Sequence, residues 1–161
     1  MPSGARVLRS SQKVRVRIVL DTNVAVSALL WRGKPYQLFE AIRQRSDVRL
    51  FSSPVLIAEL ADVLGRRSPI KQLAAIGRSA REVLADYIAA VEVVEPVEVP
   101  RVVPNDADDD HVIAAAVAAR AEIIVSGDSD LLSMGVYQGI DIVSAAMAVE
   151  TIGGQHALDK T

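Results

Sequence analysis

Short apolar segments alternate with amphipathic segments along most of the chain. The apolar segments are rich in β-branched residues, which is typical of buried strands. They are VRIVL at 16–20, VRLF at 48–51, EIIV at 122–125 and IDIV at 140–143. A strand that is apolar on both faces fits a covered parallel sheet better than a half-exposed antiparallel sheet.

Helical patterns separate these strands. Residues 54–65 have Ser53 as a candidate N-cap, Pro54 at the first helical position and Gly65 at the exit, which are common end signals of a helix. Bulky apolar residues recur at helical spacing in 109–120. The other predicted helices cover 22–30, 35–43 and 79–91. Alternating strands and helices predict an α/β fold, a three-layer α/β/α sandwich with a central parallel sheet.

The length and composition of the chain fit one domain. It has 161 residues, of which 50% are hydrophobic, and that is enough for one core. We expect a flexible N-terminal arm at 1–13, a single domain at 14–152 and a C-terminal tail at 153–161. The proline-containing stretch 92–108 is interpreted as an extended connector that leads into the helix at 109–120.

The chain has no cysteine, and its uncharged runs are short. Disulfides and thiolate metal sites are therefore excluded, and a reducing, cytoplasmic setting is expected. Because a membrane span needs about 18 apolar residues, we expect no membrane contact. The formal net charge of −2 gives no overall attraction to nucleic acid, so such binding would need a local basic patch.

Acidic residues follow two of the predicted strands at their carboxyl ends. Asp21 comes directly after the first strand, and Asp128 and Asp130 follow Ser126 after a later one. In open parallel α/β sheets, ligands bind beyond the carboxyl ends of the strands. We therefore expect these carboxylates to share one crevice.

Further acids lie at the starts of helices or within them. Glu59 interrupts an otherwise apolar helical stretch, and Asp110 stands in the first turn of 109–120 behind Asp108 and Asp109. Such a concentration of negative charge repels itself unless it is solvated or neutralised, and a divalent cation would neutralise it. Clustered carboxylates without cysteine suit Mg²⁺ or Mn²⁺ better than zinc.

Each of these acids also has a purely structural interpretation. An Asp at the start of a helix satisfies its exposed N–H groups and its dipole, and for Asp108 and Asp109 we favour that interpretation. For Asp21 we favour a functional role, because Thr22 could cap the helix instead. Glu59 taken alone is equally compatible with a solvated helix surface.

Three motifs in this order resemble the PIN-domain family, and in particular the PIN-type ribonuclease toxins of bacterial toxin-antitoxin systems. The motifs are DTN after the first strand, DHVIAAA with its Asp-x-x-Ile-Ala-Ala pattern, and SGDSDLL after a later strand. The resemblance covers about 16–152. The family fold is also a three-layer α/β/α sandwich, so the resemblance and the hydrophobic pattern agree.

The resemblance implies a Mg²⁺- or Mn²⁺-dependent endoribonuclease that leaves a 5′-phosphate and a 3′-hydroxyl. It implies an RNA substrate, an antitoxin protein as partner and a homodimer. The catalytic carboxylates would be Asp21, Glu59, Asp110 and Asp128. The metal ligands would be Asp21, Asp110, Asp128 and Asp130, with Asn23, Ser126 and Asp109 in support.

RNA would need basic residues around this acidic site. The candidates are Arg32, Lys34, Arg66, Arg67 and Lys71, although Arg66 and Arg67 could also complement a helix C-terminus. Aromatic residues make up only 4% of the chain, which argues against a broad stacking platform. Trp31, Tyr36 and Phe39 are assigned to core or dimer packing in preference to RNA stacking.

Three other functions compete with a ribonuclease. The main alternative is a non-catalytic PIN-like module that binds RNA or protein, with the acids as caps and solvated loops. A Mg²⁺-dependent phosphatase would place a second Asp where this chain has Asn23, so it is disfavoured. A structure-specific DNA nuclease would have a similar acidic site, but the chain lacks long insertions that would grip a duplex.

Overall fold

The computed structural model describes residues 16–99, 101 and 107–160, and the side chains of 16–99, 101 and 109–152. The described strands form one six-stranded sheet in the order β3-β2-β1-β4-β6-β5. They are β1 (Val16–Leu20), β2 (Val48–Ser52), β3 (Val91–Val93), β4 (Ile123–Val125), β5 (Val136–Tyr137) and β6 (Ile140–Val143). All neighbouring pairs are parallel except β5 and β6.

Helices cover both faces of the sheet within the described part of the chain. They are α1 (Thr22–Leu30), α2 (Lys34–Gln44), α3 (Pro54–Leu64), α4 (Arg67–Ile76), α5 (Ala80–Ala90), α6 (Ala107–Ala119), α7 (Ser129–Met134) and α8 (Ala145–Lys160). The central strand β1 places Ile18 in one hydrophobic cluster and Val19 in another, because successive side chains of a strand point to opposite faces. The predicted three-layer α/β/α sandwich is confirmed, with one short antiparallel strand at the sheet edge.

The strand order reverses beside β1. The chain runs from β1 outward through β2 to β3, and then returns to the other side of β1 with β4. Such a reversal opens a crevice at the carboxyl ends of the two strands that flank it. Asp21, which follows β1, and Ser126, which follows β4, both lie at this crevice.

The predicted elements agree with the structure within about two residues at their ends, and five of the described elements were not predicted. The unpredicted ones are β3, β5, α4, α7 and α8. β3 is only three residues long and two of them are exposed, so its apolar signal is weak. The tail predicted at 153–161 continues α8 up to Lys160. The predicted arm at 1–13 and residues 102–106 of the predicted connector lie outside the described residues.

The caps of α3 and the lengths of the described helices can be compared with the sequence. The α3 helix has Ser53 as N-cap, with its side chain accepting a hydrogen bond from the Leu56 amide, and Gly65 as C-cap, as predicted. None of the helices in the described regions has the length and apolar character that crossing a bilayer requires.

Candidate active site

Asp21 lies at the centre of the crevice and is tied to both strands that form it. Its amide donates to the carbonyl of Val125 on β4 over 2.9 Å. One carboxylate oxygen, Oδ1, accepts from the amide of Thr22 over 2.7 Å, which makes Asp21 the N-cap of α1. The other oxygen, Oδ2, accepts from the Ser126 hydroxyl over 2.6 Å. Asp21 is only 7% exposed, so it combines a capping role with a place in a shared polar site.

Ser126 joins the two strand ends through its hydroxyl. Besides donating to Asp21, its oxygen accepts a hydrogen bond from the Asp128 amide over 2.9 Å. Asp128 in turn caps α7, because its Oδ1 accepts from the amides of Asp130 and Leu131. Ser126 is fully buried, so a single hydroxyl fixes the relative positions of Asp21 and of the turn that carries Asp128.

Glu59 reaches the same crevice from α3. Its Oε1 accepts a hydrogen bond of 2.6 Å from the hydroxyl of Thr22. Thr22, considered from sequence as an alternative cap for α1, is instead the first helical residue, and its side chain orients Glu59. The position of Glu59 within the first two turns of α3 therefore points it towards the end of β1.

These residues line an open cavity of about 380 Å³. Its acidic members come from different parts of the chain, and they are Asp21, Glu59, Asp109 and Asp128. Its remaining lining residues are Thr22, Asn23, Val26, Ser27, Val63 and Arg66. The structure thus brings together Asp21, Glu59 and Asp128 of the predicted catalytic set.

Asp109 and Asp110 occupy consecutive positions in the first turn of α6, but Asp109 is the one that lines this cavity. Both are buried, at 4% and 2% exposure, and consecutive helical residues point in directions about 100° apart. The sequence reasoning preferred Asp110. No apolar stripe could have chosen between them, because every residue from 112 to 116 on α6 is buried.

The other predicted residues lie around the cavity at different distances. Asn23 and Arg66 line it, and Ser126 lies beneath Asp21. Asp130 is exposed in the first turn of α7. The remaining basic candidates, Arg32, Lys34, Arg67 and Lys71, are exposed and do not line the cavity. The side chain of Asp108 lies outside the described residues.

The Asp21 carboxylate interacts electrostatically with the buried hydroxyl of Tyr87. Burial raises the pKa of the Tyr87 hydroxyl on α5, and the Asp21 carboxylate raises that pKa further. Tyr87 is fully enclosed and stacks with Phe39, with their ring centroids 5.7 Å apart.

The carboxylates are suitable ligands for a hard divalent cation. Water would have to complete the coordination of that cation. Oxygen donors of this kind suit Mg²⁺ or Mn²⁺. Among the described side chains, however, no three acidic or histidine groups lie close enough together to enclose one ion. Mg²⁺ commonly keeps several waters and takes only one or two carboxylates, and this open cavity fits that mode of binding.

Comparison with known proteins identifies the family. The model of the PIN domain family matches residues 17–130, and the chain belongs to this family. An uncharacterized protein of Methanocaldococcus jannaschii is 28% identical over 128 residues, which are 79% of this chain and 80% of that protein. The resemblance inferred from the DTN and SGDSDLL motifs is therefore confirmed.

A solved structure shows the same fold. It is the crystal structure of VapBC2 from Rickettsia felis bound to a DNA fragment from their promoter, and the match has a TM-score of 0.53. The superposition covers 79% of this chain and 97% of that chain, with 13% identical residues. At this identity the similarity concerns the fold alone.

Proposed function

We propose that the protein is a Mg²⁺- or Mn²⁺-dependent endoribonuclease. The observation that supports this proposal best is the set of four carboxylates around one open cavity at the carboxyl end of the sheet. Membership of the PIN domain family and the motif resemblance stated above point to the same activity. Phosphodiester hydrolysis needs an activated water and relief of negative charge on the phosphoryl group, and a bound divalent cation supplies both.

In this proposal one or two of the carboxylates of Asp21, Asp109 and Asp128 would hold the hydrated cation directly, and the others would contact it through its waters. We propose Asp109 for this role in place of Asp110, which the motif resemblance names, because Asp109 lines the cavity. Glu59, oriented by Thr22, positions the attacking water and accepts its proton. Water adds to phosphorus, the bond to the 3′-oxygen breaks and that oxygen takes up a proton, which leaves a 5′-phosphate and a 3′-hydroxyl.

Arg66 is the basic residue of the cavity and would contact the RNA phosphate. Its guanidinium lies 2.9 Å from the Asp62 carboxylate on an exposed surface. An exposed ion pair of this kind is worth about 1 kcal/mol or less, so a phosphate can compete for the arginine. Of the predicted RNA-binding residues, Arg66 is therefore the one that we propose to contact RNA at the acidic cavity.

We further propose that the protein acts as the toxin of a toxin-antitoxin pair, in the cytoplasm and as a homodimer. The support is the motif resemblance and the fold shared with VapBC2. The antitoxin would cover the acidic cavity. Co-expression with the protein encoded beside it tests this role, because an antitoxin should restore growth and should co-purify with this chain.

The test of the activity is cleavage of a mixed structured and single-stranded RNA pool. Wild type with Mg²⁺ or Mn²⁺ should cut, and EDTA or Asp21→Asn should abolish cutting. Asp141→Asn is the matched control, because Asp141 is an exposed acid on β6. It pairs with Ile123 at the start of β4, whereas the cavity lies at the carboxyl ends of the strands. Equal inactivity of folded wild type and Asp21→Asn with both metals would overturn the proposal.

The alternative is a non-catalytic module that binds RNA or protein. It is favoured by the hydrogen bonds that already satisfy the acids, such as Thr22 to Glu59 and Ser126 to Asp21. A folded protein that binds RNA equally with and without Mg²⁺, and never cuts it, would support this alternative.

A further inference from the structure

A second groove lies beside the acidic cavity, and we call it the Trp31 groove. Its volume is about 560 Å³, and it is lined by Trp31, Arg67, Ser68, Lys71, Gln72 and Ala75. Trp31 caps the end of α1, where its amide donates to the Ser27 carbonyl over 3.0 Å. Its side chain is 41% exposed, which is unusual for the largest aromatic residue.

The side of the Trp31 groove that α4 forms is basic, and a hydrogen bond links α4 to the end of α1. Arg67 and Lys71 stand four residues apart on α4, so they share one helix face. Within the described part of the chain, neither has an acidic partner. Gln72 fixes this wall by donating from Nε2 to the Leu30 carbonyl over 2.9 Å. The groove is thus lined by two cations and one exposed tryptophan.

The Trp31 groove and the acidic cavity are lined by neighbouring residues of the same helices. Asn23 and Ser27 lie four residues apart on one face of α1, and Trp31, the C-cap residue of α1, follows four residues later. The first two line the acidic cavity and the third lines the groove. On the opposite side, Arg66 of the cavity is followed directly by Arg67 of the groove. A strand leaving the carboxylates can therefore pass along α1 to Trp31.

We propose that the Trp31 groove binds single-stranded RNA next to the bond that is cut, with a base stacked on Trp31 and phosphates at Arg67 and Lys71. This inference rests on the proposed ribonuclease function. Stacking on an aromatic side chain with nearby cations is the common mode of single-strand binding. One exposed tryptophan is compatible with the low aromatic content of the chain, which argued only against a platform of several rings.

The chemistry of the groove favours RNA over a protein partner. Lysine is depleted in the cores of protein interfaces, whereas paired cations along a groove are the usual binding elements for a phosphate backbone. A second copy of this chain would also bring the Arg67 and Lys71 of both copies towards one patch. A polyanion neutralises these cations, and a copy of the same surface does not.

The single tryptophan of the chain makes the groove directly observable. Fluorescence excited on the long-wavelength side of tyrosine absorption reports on Trp31 alone, and titration of the full chain with a uridine oligonucleotide in EDTA avoids cleavage. We expect saturable quenching by single-stranded RNA and little quenching by a duplex of the same length. Trp31→Ala should weaken binding of a labelled oligonucleotide by about 5- to 150-fold, and Trp31→Phe should restore part of it.

The basic wall is tested in the same assay. Removing both cations with Arg67→Ala and Lys71→Ala should weaken binding and reduce the salt dependence, by about 0.7 in log–log slope for each lost contact. Arg81→Ala is the matched control, since Arg81 is an exposed cation on α5 outside the groove. Circular dichroism of each variant confirms that it folds.

The outcomes separate this inference from the nuclease proposal. RNA that is cut, and that binds without quenching Trp31, would overturn the groove and leave the nuclease intact. Quenching with no cleavage under any metal would support the groove as a binding site and reject the nuclease. A dimer in sedimentation analysis that Trp31→Ala converts to monomer, with unchanged RNA affinity, would show that the groove is an interface between copies and overturn the inference.

Discussion

The hydroxyl of Ser126 donates a 2.6 Å hydrogen bond to Asp21 Oδ2. This contact crosses from the end of β4 to the end of β1, so it links the two strands on either side of the topological switch. Both residues are buried, and a charge-assisted hydrogen bond in such surroundings is short and strong. Ser126 thus determines where the central carboxylate of the site can point.

Ser126→Ala should therefore reduce both stability and activity. Loss of a buried donor to a carboxylate costs about 1–3 kcal/mol in the free energy of unfolding, which urea denaturation measures. Metal affinity should fall by about 10- to 100-fold, as for other groups that orient metal ligands. Ser133→Ala, which removes an exposed hydroxyl on α7, is the control. If Ser126→Ala lost stability with unchanged metal dependence of cleavage, Ser126 would be a structural residue only.

Asp109 and Asp110 provide a matched pair of variants one residue apart. We expect Asp109→Asn to lower the rate of RNA cleavage by about 100-fold or more, because loss of a ligand should exceed the 10- to 100-fold effect of an outer-shell change. Asp110→Asn should retain most of the activity, since Asp110 is not among the residues that line the cavity. Single-turnover cleavage at saturating Mg²⁺ measures both.

The reverse result would restore the role that the motif resemblance assigns to Asp110. Because both side chains are buried, thermal unfolding of each variant must accompany the rate measurement. Equal loss of activity with equal loss of stability would assign both residues to folding and contradict the prediction for Asp109.

That Asp21 and Asp128 lie at one crevice could be predicted from the sequence, because a parallel sheet brings the carboxyl ends of its strands to one edge. The strands β1 and β4 were recognisable as apolar runs, and each is followed by an acid. The sequence could not say which of Asp109 and Asp110 lines the cavity, since α6 is buried on nearly all sides between residues 112 and 116. The choice depends on how α6 is rotated against the sheet, and only tertiary packing sets that rotation.

The Trp31 groove could not be predicted because one of its walls is α4. That helix is amphipathic and buries Pro69 and Leu73, but an amphipathic pattern does not say which neighbouring helix it packs against. From its place near the first two helices, the sequence assigns Trp31 to core or dimer packing in preference to RNA stacking. Arg67 was named as an RNA-binding candidate, but its relation to Trp31 depends on the packing of α4 against α1, which Gln72 anchors.

The α5 helix allows a prediction of pH dependence. Its N-terminus has a capping box, in which the Glu82 side chain accepts from the Ser79 amide and the Ser79 hydroxyl accepts from the Glu82 amide. The hydrogen bond from the Ser79 backbone is the main reason that the pKa of Glu82 lies below its ordinary value of 4.5. A lowered pKa in the folded state stabilises the protein above the ordinary pKa. That stabilisation is lost as the pH falls through the lowered value.

Glu82→Gln keeps a hydrogen-bond acceptor and removes the titrating charge. The variant should be less stable than wild type at pH 7, and the difference should shrink below about pH 4.5. Urea denaturation at pH 7 and pH 3 measures both values. Glu150→Gln removes an exposed charge from α8 and controls for the change in net charge. A difference that stays constant with pH would contradict the charged hydrogen bond at Glu82.

Thr22 provides the sharpest test of how Glu59 is positioned, since its hydroxyl lies 2.6 Å from Glu59 Oε1. Thr22→Val keeps the shape and removes the donor, so the cleavage rate should fall by about 10- to 100-fold, as for other groups that orient catalytic carboxylates. Thr22→Ser keeps the donor and should restore most of the rate. A structural role alone would lower the unfolding temperature of Thr22→Val but leave its rate at that of the serine variant. The ratio of the two rates, measured at a temperature where both variants are folded, therefore separates positioning of Glu59 from stabilisation of α1.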